Sequence, residues 1–311
     1  MKIIYVFKSG LNFGSGHVSR AKFLSEYIKN NIMDCEFTFI GEDKDDVYKK
    51  ILPQSIIVSS DEEILNYIKK IKADFVFLDR RINSKFILEE AGKISKTIVI
   101  EDPEILPHQA YVIWDSNRSE NSKKAENEIL GFDNVLINPE ILQFSKKKIR
   151  KKAHKIFICM GGTDVNRVIP DIVCKLSSKF KITVLPGVHY NDYLKLKSVN
   201  VKILNSNNFC WKEIAECDFG LVSGGIVMSE ALSLFMPLIV WPQVNHQIVN
   251  ANELKEKNLI TVFEKKENIV NIAQEFADDY KTRHELNEKL KKVQYGRGIN
   301  KVLKYLEVCN E

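Results

Sequence analysis

Short apolar runs alternate with amphipathic stretches along most of the chain. Ile3-Ile4-Tyr5-Val6-Phe7 offers apolar side chains to both faces, the pattern of a parallel strand buried from two sides. After a polar turn, the segment from His17 through Ile28 places Val18, Ala21, Leu24, Tyr27 and Ile28 at helical spacing. The alternation then repeats. It predicts strands at 2–7, 35–40, 55–58, 74–78, 97–100 and 111–114, with helices between most of them. A second series opens at Lys155-Ile156-Phe157-Ile158-Cys159-Met160, with further strands near 181–185, 201–204, 218–222 and 238–241. Helical patterns at 267–280, 283–293 and 298–308 close the chain. Strands interleaved with helices predict parallel sheets covered on both faces.

Each series starts with an apolar strand, a glycine-bearing turn and a helix, and the run Lys146-Lys147-Lys148-Ile149-Arg150-Lys151-Lys152 lies in a linker between them. The expectation is an α/β chain of two Rossmann-like, doubly wound domains facing across a cleft. The expected bounds are 1–147 for an N-terminal domain on the sugar and catalytic side and 148–295 for a C-terminal nucleotide-binding domain, with 296–311 packing back on the first. A length of 311 residues, 44% apolar, is enough for two cores.

Charge and cysteine usage narrow the classes. Charged residues make up 28% with both signs mixed, and the net charge of +5 is mild. Much of that excess sits in the lysine run, which no aromatic residue interrupts, so a solvated linker is expected and nucleic acid is not an expected partner. Cysteines 35, 159, 174, 210, 217 and 309 are scattered, with neither a CxxC pair nor zinc spacing, so no metal is expected. Met1-Lys2 leads directly into the first strand, leaving no room for a secretory signal. No apolar stretch reaches the ~20 residues that span a bilayer. These features predict a cytoplasmic protein without stable membrane insertion, a monomer or weak dimer.

The glycine turns carry the chemistry. In Gly14-Ser15-Gly16-His17-Val18-Ser19-Arg20, two glycines at a strand-to-helix junction let backbone approach a ligand at the positive end of a helix. The third glycine of the dinucleotide fingerprint is missing, so neither nicotinamide nor flavin is indicated. His17 falls at the carboxyl edge of the sheet, where open α/β folds bind ligands and where a neutral imidazole can take a proton near pH 7. The plain alternative is a capping loop with an incidental polar residue. Met160-Gly161-Gly162-Thr163-Asp164 follows the first strand of the second series in the same way. In Val222-Ser223-Gly224-Gly225-Ile226, a strand ends, two glycines turn the chain and a helix begins, an arrangement that suits a diphosphate without requiring a metal. Glu230 lies one to two turns into that helix, placed either to accept from ribose hydroxyls or simply to face solvent. Asn245, His246 and Gln247 cluster after a proline-terminated strand as a ligand-facing loop, part of which an Asn245 helix cap would explain. Asp79 and Asp102 end strands, where they can orient His17, bind sugar hydroxyls or cap a helix.

In their order and spacing these strings resemble the MurG-related nucleotide-sugar enzymes of the GT-B fold. The nearest resemblance is to the PseG hydrolases of pseudaminic acid synthesis and their SpsG spore-coat relatives. "GSGHVSR" is similar to the family's G-x-G-H-x-x-R turn, "FVFLDR" to its strand ending in aspartate, and "IVIEDP" to its strand ending in an acidic pair. "ILGFDNVLINPEI" is similar to the segment before the interdomain linker, and "ICMGGTD", "LVSGGIVMSEAL" and "HQIVNANEL" to the nucleotide-domain turns. The resemblance implies hydrolysis of a UDP-activated amino sugar to free sugar and UDP, with no cofactor. By position, His17 would be the base that activates water, and Gly14 and Gly16 would approach the sugar diphosphate. Arg20, Asp79, Arg81, His246 and Gln247 would line the substrate. Gly161, Gly162, Thr163, Ser223, Gly224 and Gly225 would cradle UDP, with Glu230 on the ribose.

Some positions depart from that pattern. Arg81 stands where the hydrolases commonly carry the tyrosine thought to position water, and His246 where they usually carry asparagine. Asn134 and Asn138 replace a tyrosine and an arginine, and "HQIVNA" leans toward the glycosyltransferase relatives. The alternatives are therefore a MurG-like transferase using the same UDP-sugar donor, or a non-catalytic nucleotide-sugar-binding homologue.

Overall fold

Branched and aromatic residues fill both faces of β1 (Lys2–Lys8), and the strand lies in the interior of a seven-stranded parallel sheet. The structure is a computed structural model; it describes residues 1–10, 13–145, 148–162, 164, 166–187, 190, 196, 200–205, 211–263, 269–293 and 295–307. The other strands of this sheet are β2 (Glu36–Glu42), β3 (Ile56–Ile57), β4 (Phe75–Asp79), β5 (Lys96–Ile100), β6 (Val112–Asp115) and β7 (Glu128–Leu130). Their spatial order is β3-β2-β1-β4-β5-β6-β7. Alternation along the strands assigns the two faces. Ile3, Tyr5, Phe75, Phe77, Ile98 and Ile100 pack under α1 (Gly16–Asn31) and α10 (Ile299–Glu307). Ile4, Val6, Val76, Leu78 and Val99 pack under α2 (Asp61–Ile71) and α3 (Lys85–Gly92).

A second parallel sheet orders its strands β10-β9-β8-β11-β12-β13. They are β8 (Lys155–Cys159), β9 (Lys181–Val184), β10 (Val201–Ile203), β11 (Phe219–Val222), β12 (Leu238–Val240) and β13 (Thr261–Val262). Around it lie α4 (Ile169–Leu176), α5 (Trp211–Ala215), α6 (Ile226–Ser233), α7 (Asn245–Glu256), α8 (Ile269–Asp278) and α9 (Tyr280–Val293). Ile156, Ile158, Phe219 and Leu221 share a core with Ile172 and Val173 of α4 and Ala273 and Phe276 of α8.

The chain divides into two units, residues 1–138 with 297–311, and 139–296. The division precedes the lysine run, nine residues earlier than the expected boundary at 147. Packing explains the difference. A 3₁₀ turn at Pro139–Phe144 contacts α5 and α6, and Ser145 Oγ donates to the Ser233 carbonyl at 2.8 Å. The basic run is also less free than a solvated linker would be. Arg150 Nη1 reaches Asp218 at 2.9 Å, while fully buried Arg283 donates to the carbonyls of Arg150 (3.0 Å) and Lys151 (2.8 Å). Among the described residues, no helix is long and apolar enough to cross a membrane.

Candidate active site

Strand alternation turns Tyr5 of β1 and Asp79, the last residue of β4, toward the face that α1 covers. On α1, His17 and Arg20 sit one turn apart beside the buried Ala21 and Leu24. Asp79 therefore meets both. His17 Nδ1 lies 2.7 Å from Asp79 Oδ1, Arg20 Nε donates to Oδ2 at 3.0 Å, and the Tyr5 hydroxyl donates to Oδ2 at 2.8 Å. The second arm of Arg20 continues the network. Its Nη2 donates to Glu101 Oε2 at 2.8 Å, and Ser116 Oγ donates to Glu101 Oε1 at 2.8 Å. Glu101 directly follows β5 and Asp115 ends β6, so three acidic residues stand at the carboxyl ends of three neighbouring strands.

Burial works against the Asp79 charge, but the attractions of Arg20 and His17 outweigh it and hold the carboxyl below the ordinary carboxylate value. Glu101 behaves alike: burial opposes its charge, and Arg20 with the Ser116 hydrogen bond holds its pKa low. Both are carboxylates at neutral pH. An ionised Asp79 accepts only, so the hydrogen on His17 must sit on Nδ1, which leaves Nε2 of the neutral ring as a proton acceptor. Burial, with the Asp79 charge, drives the Tyr5 hydroxyl well above its usual range and keeps it a donor. Burial and then the Glu101 charge raise Asp115 to about 6.

The helix that carries His17 begins beside open backbone. Gly14 has φ +74°, a conformation L side chains rarely adopt, and no atom lies within 4 Å of where its Cβ would stand. Ser15 precedes α1 without a side-chain cap bond, and the first turn of α1 has no acidic residue. Amide donors at this end of α1 are thus unopposed by carboxylate.

In the second unit, β8 and β11 are neighbours with Cys159 opposite Val222, so the turns after them lie side by side. A Cβ on Gly161 would stand 3.4 Å from Ser223 Oγ. One on Gly224 would come within 2.8 Å of Gln247 Cβ and 2.9 Å of the Gln247 carbonyl, so the approach of α7 requires glycine there. Ser223 Oγ is buried without a hydrogen-bond partner among the described residues. Among the described residues Glu230 forms no hydrogen bond or ion pair, and burial alone raises its carboxyl to about 8. Gln247 Oε1 accepts the Gln243 amide at 2.8 Å, and Gln243 Oε1 accepts Asn166 Nδ2 at 2.8 Å.

Several sequence expectations change here. Asp79, expected to line the substrate or to orient His17, is fully buried with both oxygens engaged by protein donors, His17 Nδ1 among them. Arg20 is only 4% exposed and commits Nε and Nη2 to the two carboxylates; Nη1 has no partner among the described residues. Asp102 does not reach His17, because it accepts from Asn83 N at 2.8 Å and Asn83 Nδ2 at 3.0 Å. Arg81 is exposed with φ +72° and forms no ion pair among the described residues, outside the bonded cluster around His17. Asn134 is a structural residue, its carbonyl accepting from Trp114 Nε1 at 2.7 Å and its Oδ1 from Lys301. Helix α7 starts at Asn245, with Val244 and not Asn245 in the capping position; His246 is in its first turn, and Thr163 lies outside the described residues. Sequence reasoning missed Tyr5, Glu101 and Ser116. Of these only Glu101 left a signal, as half of the acidic pair after β5. Among the described residues, no group of three His, Cys, Asp or Glu is placed to hold a metal ion.

No protein-family model matches the chain. It is 25% identical to a UDP-2,4-diacetamido-2,4,6-trideoxy-beta-L-altropyranose hydrolase of Campylobacter jejuni over 253 residues, covering 75% of this chain and 89% of that one. It is 23% identical to the spore coat polysaccharide biosynthesis protein SpsG of Bacillus subtilis over 277 residues, covering 80% and 79%. Among solved structures, MurG of Acinetobacter baumannii matches with a TM-score of 0.65 over 99% of each chain at 12% identity, a likeness of fold. The two doubly wound units are those of a GT-B fold. The chain is similar in sequence to PseG- and SpsG-type proteins and shares the GT-B fold of MurG.

Proposed function

We propose that the chain hydrolyses a UDP-activated amino sugar to free sugar and UDP, with His17 as general base. The observation that carries this reading is the 2.7 Å contact between His17 Nδ1 and a fully buried, ionised Asp79 at the carboxyl edge of the sheet. Asp79 fixes the tautomer and stabilises the imidazolium that forms. Nε2 takes a proton from water, the water oxygen bonds to the anomeric carbon, and the bond from that carbon to the diphosphate breaks with its electrons leaving on UDP. In this reading the turns at Gly161-Gly162 and Ser223-Gly224-Gly225 hold the diphosphate with backbone N–H groups at the start of α6. Glu230, whose carboxyl has no partner among the described residues, accepts from the ribose hydroxyls. The Campylobacter relative's activity supports the choice of substrate class.

Arg81 favours a second reading. It replaces the tyrosine that the resemblance associates with water and is not joined to the His17 network, so a hydroxyl of another molecule could take the place of water. One experiment separates the two. UDP release from candidate UDP-sugars is measured with and without added acceptors, in ¹⁸O-labelled water. Hydrolysis gives acceptor-independent release and one ¹⁸O in the freed sugar; release that requires an acceptor defeats it.

A further inference from the structure

Glu101 is a partly buried carboxylate that the reaction above does not use, and three observations set it apart. Its φ is +52°, in the left-handed region that a non-glycine residue holds only where its surroundings enforce it. Ile98 and Ile100 face α1 while Val99 faces the opposite layer, so regular alternation would turn Glu101 away from α1. The left-handed residue breaks that alternation, and the side chain meets Arg20. Finally, Arg20 is shared: Nη2 donates to Glu101 at 2.8 Å while Nε donates to Asp79 at 3.0 Å, and only Asp79 touches His17.

We propose that Glu101 is a positioning residue for His17, raising the basicity of its Nε2 by drawing the Arg20 charge away from Asp79. The inference rests on the reading of His17 as the base. The groups facing the network are Tyr5 from β1, His17 and Arg20 from α1, Asp79 from β4, Glu101 itself, and Asp115 and Ser116 from the end of β6, with Arg118 beyond them. With His17 neutral, Arg20, Asp79 and Glu101 carry one positive and two negative charges, so a proton on the ring balances the set. Without the Glu101 charge, the Arg20 guanidinium opposes Asp79 alone and the imidazolium loses a stabilising anion. Both changes weaken His17 as a proton acceptor. Asp115 adds charge of the same sign once it ionises, and it does not contact Arg20 or His17 among the bonds that join this cluster.

The test is an NMR titration of the imidazole C–H signals of the full chain, the His17 resonance being assigned by its loss in His17→Asn. Glu101→Gln keeps the size of the side chain and removes its charge. The His17 midpoint is expected to fall by about one pH unit in Glu101→Gln and to stay within ~0.3 of the parent in Glu101→Asp, which restores the charge. Glu101→Gly removes the charge while relieving the positive φ, so it provides a variant expected to fold, and its midpoint is expected to fall likewise. In turnover, the acid limb of kcat is expected to move to lower pH by the same amount while the plateau falls about threefold with KM unchanged. A structural defect would lower the rate without moving the acid limb. A His17 midpoint that stays put or rises in folded Glu101→Gln or Glu101→Gly overturns the proposal. Because the titration uses no substrate, a protein that releases no UDP would count against the hydrolase reading without deciding this one.

Discussion

The polar groups at the carboxyl edges of the two sheets are in opposite states. Around His17, Asp79 receives three side-chain donors and Glu101 two, so the carboxylates are ionised and their partners fixed. Around Ser223 and Glu230, a buried hydroxyl has no acceptor or donor and a carboxyl has no partner among the described residues. The first cluster is organised by the protein itself, as groups that move protons must be before substrate arrives. The second has polar capacity that the protein leaves unspent, which is what a site completed by a ligand's hydroxyls and phosphates requires.

Predictions that break this comparison at its first term have the largest expected effects. His17→Ala removes the proposed base and leaves the turns of the second unit untouched. UDP release is expected to fall 10²- to 10⁴-fold while UDP affinity, measured by calorimetry, stays as in the parent. Near-normal turnover would sink the mechanism. Asp79→Asn is next. With Arg20 and Tyr5 both donating to one side of the group, the new amide must turn its N–H toward His17, forcing the proton to Nε2 and disabling the base. A drop of roughly 10- to 1000-fold in rate is expected, together with a stability loss on the order of 3 kcal/mol in urea titrations, because the Arg20 guanidinium loses one of the two negative charges that face it. The parent should also lose stability as acid protonates Asp79 and Glu101. Their folded pKa values lie below the unfolded ones, so their contribution is present above pH ~4 and disappears below it.

At the second term, Glu230→Ala deletes the acceptor proposed for the ribose. A lost hydrogen bond to a buried hydroxyl costs ~1–3 kcal/mol, so UDP affinity is expected to fall roughly 5- to 100-fold with His17 chemistry intact at saturation. Unchanged affinity in the folded variant removes Glu230 from the nucleotide site.

The same contrast explains what could be read from the chain. The glycine turns and His17 are local patterns, each contained in a few consecutive residues beside a strongly apolar strand. Strands such as β1 and β4 are legible because they are buried on both faces. β7 and β13 were missed for opposite reasons. β7 opens with Glu128, buried only because Arg118 and the amides of Lys124 and Ala125 satisfy it, and β13 is a pair of residues, Thr261 and Val262. The partners of His17 are non-local. The Asp79 bond spans 62 residues and the Arg20–Glu101 bond spans 81, so they depend on β4 lying beside β1 and on β5 lying beside β4. Choosing between Glu101 and Asp102 required a backbone angle as well, since alternation alone favours Asp102 and a single left-handed residue reverses the choice. Spacing alone likewise could not reveal that Arg81 stands apart from the cluster.

The smallest effect sharpens the comparison without any ligand. Glu230 is raised to about 8 by burial, with no cation or donor among the described residues to offset it. In the unfolded chain a glutamate ionises near 4.3. A group raised on folding contributes its stability below the unfolded value and loses it as pH climbs to the folded one. The folded state here binds the proton more tightly, so between about pH 4.3 and 8 the Glu230 carboxyl makes the protein progressively less stable. Part of the side chain remains accessible, so the cost at pH 8 is expected to be about 1–2 kcal/mol rather than the full linkage value. Glu230→Gln, which cannot ionise, should match the parent in thermal unfolding at pH 5 and exceed its Tm by a few degrees at pH 8. Saturating UDP should narrow that gap, because ribose hydroxyls would donate to the carboxylate and supply the partner it lacks. An equal Tm difference at both pH values would mean that Glu230 is already stabilised by the protein, and the unspent capacity of the second unit would then rest on Ser223 alone.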